Sequence, residues 1–245
     1  MAVALEYPPA QVPAWETQQA PPLESGDRLT AREFLRRYEA MPRVKKAELI
    51  EGVVYMGSPV RIKQHAAPDN LVQTWLGTYA IATPGTQSAT NATSLLDVEN
   101  VPQPDALLRL LPECGGRSHV DDDGYLVGPP ELAVEICASS ASVDLHDKLR
   151  SYRRAGVLEY IVWRTVEGKL DWFVLEHEQY TPLPVSPDGI VRSRIFPGLH
   201  LAVNALLAQD AAKVMDTLQT GLRCQEHAAF VDDLKAKAAE RKQLA

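Results

Sequence analysis

The run ELAVEIC at residues 131–137 limits what this chain can fold into more than any other stretch. It is a short, unbroken apolar segment, and strands of that kind lie in the middle of a sheet, covered on both faces. Strand alternation sends Leu132, Val134 and Ile136 one way and Ala133, Glu135 and Cys137 the other. Glu135 is therefore a carboxylate inside an apolar strand. Left unpaired there, it costs several kcal/mol or takes up a proton. A ligand role explains its presence better than a structural one.

The residues after this strand are equally specific. A Ser/Ala-rich turn at 138–142, with Ser139 and Ser140 as turn formers, leads into a helix over 143–155. Asp144 reads as its N-cap. Leu145, Leu149 and Tyr152 share one helix face, Lys148 lies on the same helix, and Gly156 stops it. LEYIVW at 158–163 is the next strand. A buried acid at a strand end thus precedes, by one turn and half a helix, a lysine.

The rest of the chain supplies a frame for this unit. Residues 1–27 are rich in proline and polar residues and read as an extended arm, with Trp15 as a point that could pack on a partner subunit. Residues 30–40 form a helix opened by a capping box of Thr30 and Glu33. KAELIEGVVYMG at 46–57 reads as two strands around a Glu51-Gly52 turn. Apolar positions Leu71, Val72, Trp75, Leu76 and Tyr79 recur at helical spacing, with Pro68 in the first turn. Residues 86–97 and 101–111 are strands joined by a turn at Asp97–Asn100. Residues 112–130 are a loop or small hairpin outside the core. KLDWFVLEH and EQYTPLPV are further strands, and FPGLHLAVNALLA leads into a helical tail over 209–242 that either docks on the domain or makes a dimer contact.

This order gives a mixed α/β fold: a central mixed sheet flanked by helices, with a C-terminal helical extension. The expected divisions are an arm at 1–27, a domain at 28–207 and an extension at 208–245. No GxGxxG or P-loop occurs. The net charge of −7 argues against a broad nucleic-acid-binding face but leaves room for a local basic groove beside a metal. Three scattered cysteines fit a reducing cytoplasm and exclude a CxxC zinc cage. No run of about 18 apolar residues is present, so no membrane span is expected. Cys137 and His146 lack any nucleophile-elbow sequence, which disfavours a cysteine hydrolase.

Asp105 lies between Pro104 and a purely apolar run, in the strand before Glu135. If the two strands pair, their carboxylates converge at one sheet edge. Two hard oxygen ligands with open positions suit Mg²⁺ or Mn²⁺. Such an ion lowers the pKa of water and stabilises charge on phosphoryl oxygens. Lys148 is then placed to orient the attacking water or neutralise a phosphate. Asp105 as an Asx-turn former and Lys148 as a solvated helix residue are the plainer alternatives. His65 reads as a helix-start histidine or a group at the cleft mouth, and Tyr152 as core or cleft wall.

Taken in order, PQPD at 102–105, VEI at 134–136, Ser139-Ser140, Asp144, Lys148 and SYRRAGVLEYIVW at 151–163 resemble the Uma-type family of restriction endonucleases, within the PD-(D/E)xK nuclease superfamily. AELIEGVVYMGSP at 47–59 together with His65 is similar to that family's opening, and FPGLHL at 196–201 to its closing segment. The resemblance covers roughly residues 28–207. It implies a restriction-endonuclease-like core and a Mg²⁺- or Mn²⁺-dependent endodeoxyribonuclease acting on DNA. It further implies metal ligands at Asp105 and Glu135, with the Ile136 carbonyl as another, a supporting acid at Glu48 and a catalytic Lys148. The superfamily's lysine falls two residues after the acid, where this chain has Cys137, so Lys148 takes that place from the helix. Trp163-Arg164 stands where the family often has an acid. A homodimer would match a double-strand cut by symmetry. The missing lysine at 137 and the acidic balance also support an alternative, an inactive nuclease-fold protein that binds nucleic acid or protein.

Overall fold

The computed structural model describes residues 20–138 and 141–244. Helix α1 (Ala31–Glu39) begins at Thr30, whose hydroxyl accepts from the Glu33 amide at 3.5 Å. Only half of the capping box forms, because the Glu33 carboxylate turns forward to Arg36 and Arg37. The hairpin β1 (Ala47–Ile50) and β2 (Val53–Met56) turns at Glu51 and Gly52, both at positive φ, as a two-residue turn matched to strand twist requires. Helix α2 (Ala67–Ala82) holds Pro68 in its first turn, but a π-helical turn at Ile62–Ala66 precedes it.

Next come β3 (Thr86–Thr90), β4 (Ser94–Leu95), β5 (Ala106–Leu110), β6 (His119–Val120), β7 (Leu126–Val127) and β8 (Leu132–Cys137). The segment after β8 comprises α3 (Ala141–Val143), a π-helical turn at Asp144–Lys148 and α4 (Leu149–Ala155). It crosses over to β9 (Glu159–Arg164), and the sheet continues with β10 (Lys169–Glu176) and β11 (Gln179–Pro182). A small hairpin of β12 (Ile190–Arg192) and β13 (His200–Ala202) leads to α5 (Val203–Leu207), α6 (Ala211–Leu222) and α7 (Gln225–Leu244).

The main sheet runs β11-β10-β9-β8-β5-β3. Only β8 and β9 are parallel; the other pairings are antiparallel, so the sheet is mixed. All six residues of β8 are buried. Leu132, Val134 and Ile136 pack with α2, while Ala133 and Cys137 pack with Tyr152, Val157 and Tyr160. The alternation expected from the sequence is therefore realised. Residues 112–130 form a hairpin outside this sheet, β6 against β7, with β4 added in parallel.

Two local expectations change. Asp144 does not cap a helix: the helix starts at Ala141, which puts Asp144 inside the π turn, buried and facing Lys148. The last residues of the arm are pinned down. Leu23 is buried with its amide on Met41 Sδ at 3.1 Å, and the Gly26 amide donates to the Val54 carbonyl. Residues 1–19, Trp15 among them, and the turn formers Ser139 and Ser140 lie outside the described residues.

The C-terminal helices pack on the domain. Val214 and Leu218 enter the main core, and Phe230 packs against it. Gly221 is the contact point: a Cβ there would sit 2.2 Å from the Gly198 carbonyl oxygen. Among the described residues no helix is long and apolar enough to cross a membrane.

Candidate active site

Asp105 is the last residue before β5, and Ala106 pairs with Val134 in β8. Continuing that antiparallel register by one residue brings Asp105 level with Glu135. The Ile136 amide marks the same approach, donating to Asp105 Oδ2 at 2.8 Å. Gln73 from α2 fixes the Asp105 backbone, its Nε2 donating to the carbonyl at 2.6 Å. Three elements thus orient one aspartate that is 3% exposed.

Asp105 meets two cationic groups. Lys46 Nζ lies 2.7 Å from Oδ1, and His65 Nε2 lies 3.3 Å from Oδ2. Burial acts to raise the Asp105 carboxyl, but the His65 hydrogen bond and the Lys46 charge prevail and hold it well below the ordinary aspartate range. The same hydrogen bond raises His65. His65 Nδ1 is buried without a hydrogen-bond partner among the described residues.

Glu135 and Lys148 form the second half. Lys148 Nζ lies 3.0 Å from Glu135 Oε1, 2.9 Å from Glu48 Oε1 and 3.6 Å from Asp144 Oδ1. The Tyr152 hydroxyl donates to Glu135 at 2.8 Å. Three buried acids around one ammonium leave an excess of negative charge. Burial therefore pushes Glu135 well above the ordinary glutamate range, with Lys148 opposing. Burial would lower Lys148, yet Glu135 and Glu48 keep it raised and charged.

Glu48 arrives from a separate small core. The β1–β2 hairpin docks through Leu49, which exchanges two backbone hydrogen bonds with Val101. Two residues further on, the Gln103 amide donates to Glu48 Oε1 at 2.7 Å. The hairpin is in this way fastened to the PQPD segment that carries Asp105.

The structure brings Glu48, Asp105, Glu135, Ile136, Lys148, His65 and Tyr152 to one place. Tyr152 is both core and site wall, 1% exposed and bonded to Glu135. Lys46 and Gln73, which no motif points to, join them, and so does Asp144 in place of its expected capping role. Lys46 had a legible signal: it stands two residues before Glu48, so strand alternation puts both on one side. Gly57 makes room for it, since a Cβ there would sit 3.1 Å from Lys46 Cβ. Arg164 pairs with Asp171 and Glu167. Burial pushes the Cys137 thiol up to about 12, so it carries no nucleophilic thiolate at neutral pH.

Among the described residues no group of three or more acid, histidine or cysteine side chains is already arranged as a cage for a metal ion. The donor set still fits one in kind. The carboxylates are hard oxygen ligands, and the cations that touch them mark a position favourable to positive charge. An ion of the Mg²⁺ type takes one or two protein carboxylates and keeps waters, without a full cage.

No curated protein matches the chain. Its fold is similar to the crystal structure of a "putative nuclease belonging to DUF820 from Anabaena variabilis ATCC 29413". The TM-score is 0.55 and the identity 14%, over 74% of this chain and 98% of that one. At that identity the likeness speaks for the fold. Residues 31–204 match the Uma2 family, described as "Putative restriction endonuclease". That match spans most of the chain, which therefore belongs to the Uma2 family.

Proposed function

We propose that this protein is a divalent-metal-dependent endonuclease that hydrolyses phosphodiester bonds in DNA. The observation that carries the proposal is the β5–β8 register, which sets Asp105 level with Glu135 while Lys148 is held between Glu135 and Glu48. The family's description and the nuclease-like fold support it.

Asp105, Glu135 and the Ile136 carbonyl would hold Mg²⁺ or Mn²⁺, which supplies positive charge to the phosphoryl oxygens and lowers the pKa of water. The chain's own groups do the positioning. The Ile136 amide and Gln73 aim Asp105. The Tyr152 hydroxyl holds Glu135 in its rotamer. Lys148 stays an ammonium, so it acts as a fixed donor and positive charge toward a water or phosphate oxygen, and not as a base. Glu48 fixes where that ammonium stands. Lys46, at 30% exposed the most solvent-facing cation of the set, is available to a phosphate from outside.

Supercoiled plasmid incubated with the pure chain and Mg²⁺ or Mn²⁺ tests this. Nicked and linear products are expected, lost with EDTA. Loss of a metal ligand removes several kcal/mol of transition-state stabilisation. Asp105→Ala and Glu135→Ala should therefore cut at least about a hundredfold more slowly. Plasmid left intact with both metals, or cleavage equal in both variants, refutes the proposal.

A further inference from the structure

The chain carries a net charge of −7, yet two short stretches beside the site hold cations and no acid. Residues 40–47 contain Arg43, Lys45 and Lys46; residues 57–66 contain Arg61 and Lys63. The stretches touch: the Gly57 amide donates to the Lys46 carbonyl at 3.0 Å. Arg43, Lys45, Arg61 and Lys63 are exposed. Lys45 donates to the Pro42 carbonyl, but among the described residues none of the four is in an ion pair. Exposed arginines elsewhere, such as Arg36, Arg150 and Arg192, are each matched by an acid within one helical turn or one hairpin.

The second stretch is also apolar at its tip. Gly57 to Lys63 is a run of seven exposed residues, with Val60 63% and Ile62 75% exposed. Its base is anchored, because Thr165 Oγ1 donates to the Gln64 carbonyl at 2.6 Å and His65 reaches Asp105. An exposed loop held at one end by the site, with cations flanking bare aliphatic side chains, has the composition of a DNA-contacting wedge. Cations bind phosphates, and aliphatic groups lie against the sugar and base edges in a groove.

We infer that the rim formed by residues 43–46 and 57–63 grips the backbone of duplex DNA, with Val60 and Ile62 seated in the groove. The inference deepens the nuclease proposal and rests on it for the choice of DNA. Charge complementarity selects this partner: an acidic protein approaches a polyanion only through a local concentration of unpaired cations.

The test is duplex binding by the intact Glu135→Gln chain, read as fluorescence anisotropy of a labelled 25-base-pair DNA (about two helical turns) across a salt series. Arg61→Ser with Lys63→Ser should weaken binding at low salt by about tenfold or more. It should also reduce the slope of log affinity against log salt by about 2, near 0.9 for each phosphate released. Val60→Ser with Ile62→Ser should weaken binding severalfold and leave the slope unchanged. Lys213→Ser with Arg223→Ser, the same charge removed from exposed positions on and just after α6, serves as the comparison and should leave the slope alone. A rim variant indistinguishable from that comparison overturns the inference, as does an absence of duplex binding. The two proposals fail separately. A wild-type chain that binds through the rim and never cuts refutes the nuclease reading alone; one that cuts without needing the rim refutes the rim alone.

Discussion

The Lys148 ammonium lies 3.0 Å from the Glu135 carboxylate, and both side chains are almost wholly buried. Neither could be there without the other. Removing one partner of a buried pair strands a charge and costs about 3–5 kcal/mol.

Lys148→Met keeps the volume and leaves Glu48, Glu135 and Asp144 without their shared cation. Urea unfolding should show a loss of about 3–5 kcal/mol. Adding Glu135→Gln should restore part of it, because one of the stranded charges is gone. Costs that simply add in the double variant contradict this coupling.

Glu159 offers a control for Glu135. It too is a buried strand carboxylate, raised by burial, but its partners are the Trp172 indole N–H, the Ser193 hydroxyl and the Arg194 and Ile195 amides. It faces no lysine. Glu159→Gln should cost about 1–3 kcal/mol of stability, because amides and a hydroxyl lose their acceptor. Its cleavage rate per folded molecule should stay within about twofold of wild type, whereas Glu135→Gln should lose cleavage by at least about a hundredfold. Equal losses of activity in the two variants would remove the distinction between a structural and a site acid.

Gly221 tests whether the C-terminal helices belong to the fold. A Cβ at that position meets the Gly198 carbonyl and the His200 ring, at 2.2 and 2.8 Å. Gly221→Ala should therefore lower stability by about 1–3 kcal/mol through overpacking. Thermal unfolding would read the change as a Tm several degrees lower. An unchanged Tm would mean that α6 rests on the domain without contributing to it.

Glu33 sets a pH dependence remote from the site. Its hydrogen bonds from Arg36 and Arg37 lower its carboxyl from 4.5 to about 2. A carboxyl lowered in the folded state stabilises the fold above its unfolded value and loses that contribution as pH falls through the folded one. The window is therefore pH 4.5 down to about 2. The pairs are solvent-screened, so the contribution is at most about 1 kcal/mol. Glu33→Gln should be flatter than wild type in that window by about this amount. A steeper profile would reverse the sign of the effect.

Much of the frame is legible in the sequence because it rests on short-range rules. The β8 alternation, the Glu51-Gly52 hairpin and the Gly156 helix stop each come from a few adjacent residues. The conjunction of Asp105 and Glu135 needs only that two apolar strands pair. Less legible is anything fixed by packing at a distance. Lys46 reaches Asp105 across 59 residues of sequence, and only the docking of Leu49 on Val101 puts it there. Asp144 has the residue type that favours caps, but the helix begins three residues earlier. Glu131 and Glu159 show why a buried acid alone is an incomplete argument. Both are buried in apolar surroundings and satisfied by backbone amides, with no ligand role needed. What separates Glu135 is its company, a lysine, a tyrosine and two further acids, and that company is scattered along the sequence.

The central claim is that Asp105 and Glu135, brought level by the β5–β8 register, hold a divalent ion together. Crystals grown with Mn²⁺ and measured at the manganese absorption edge test it most directly. The account predicts an anomalous peak in contact with both carboxylates, absent from crystals of the Glu135→Ala chain. A peak elsewhere, or none at saturating Mn²⁺ while Lys148 still spans Glu48 and Glu135, would contradict it.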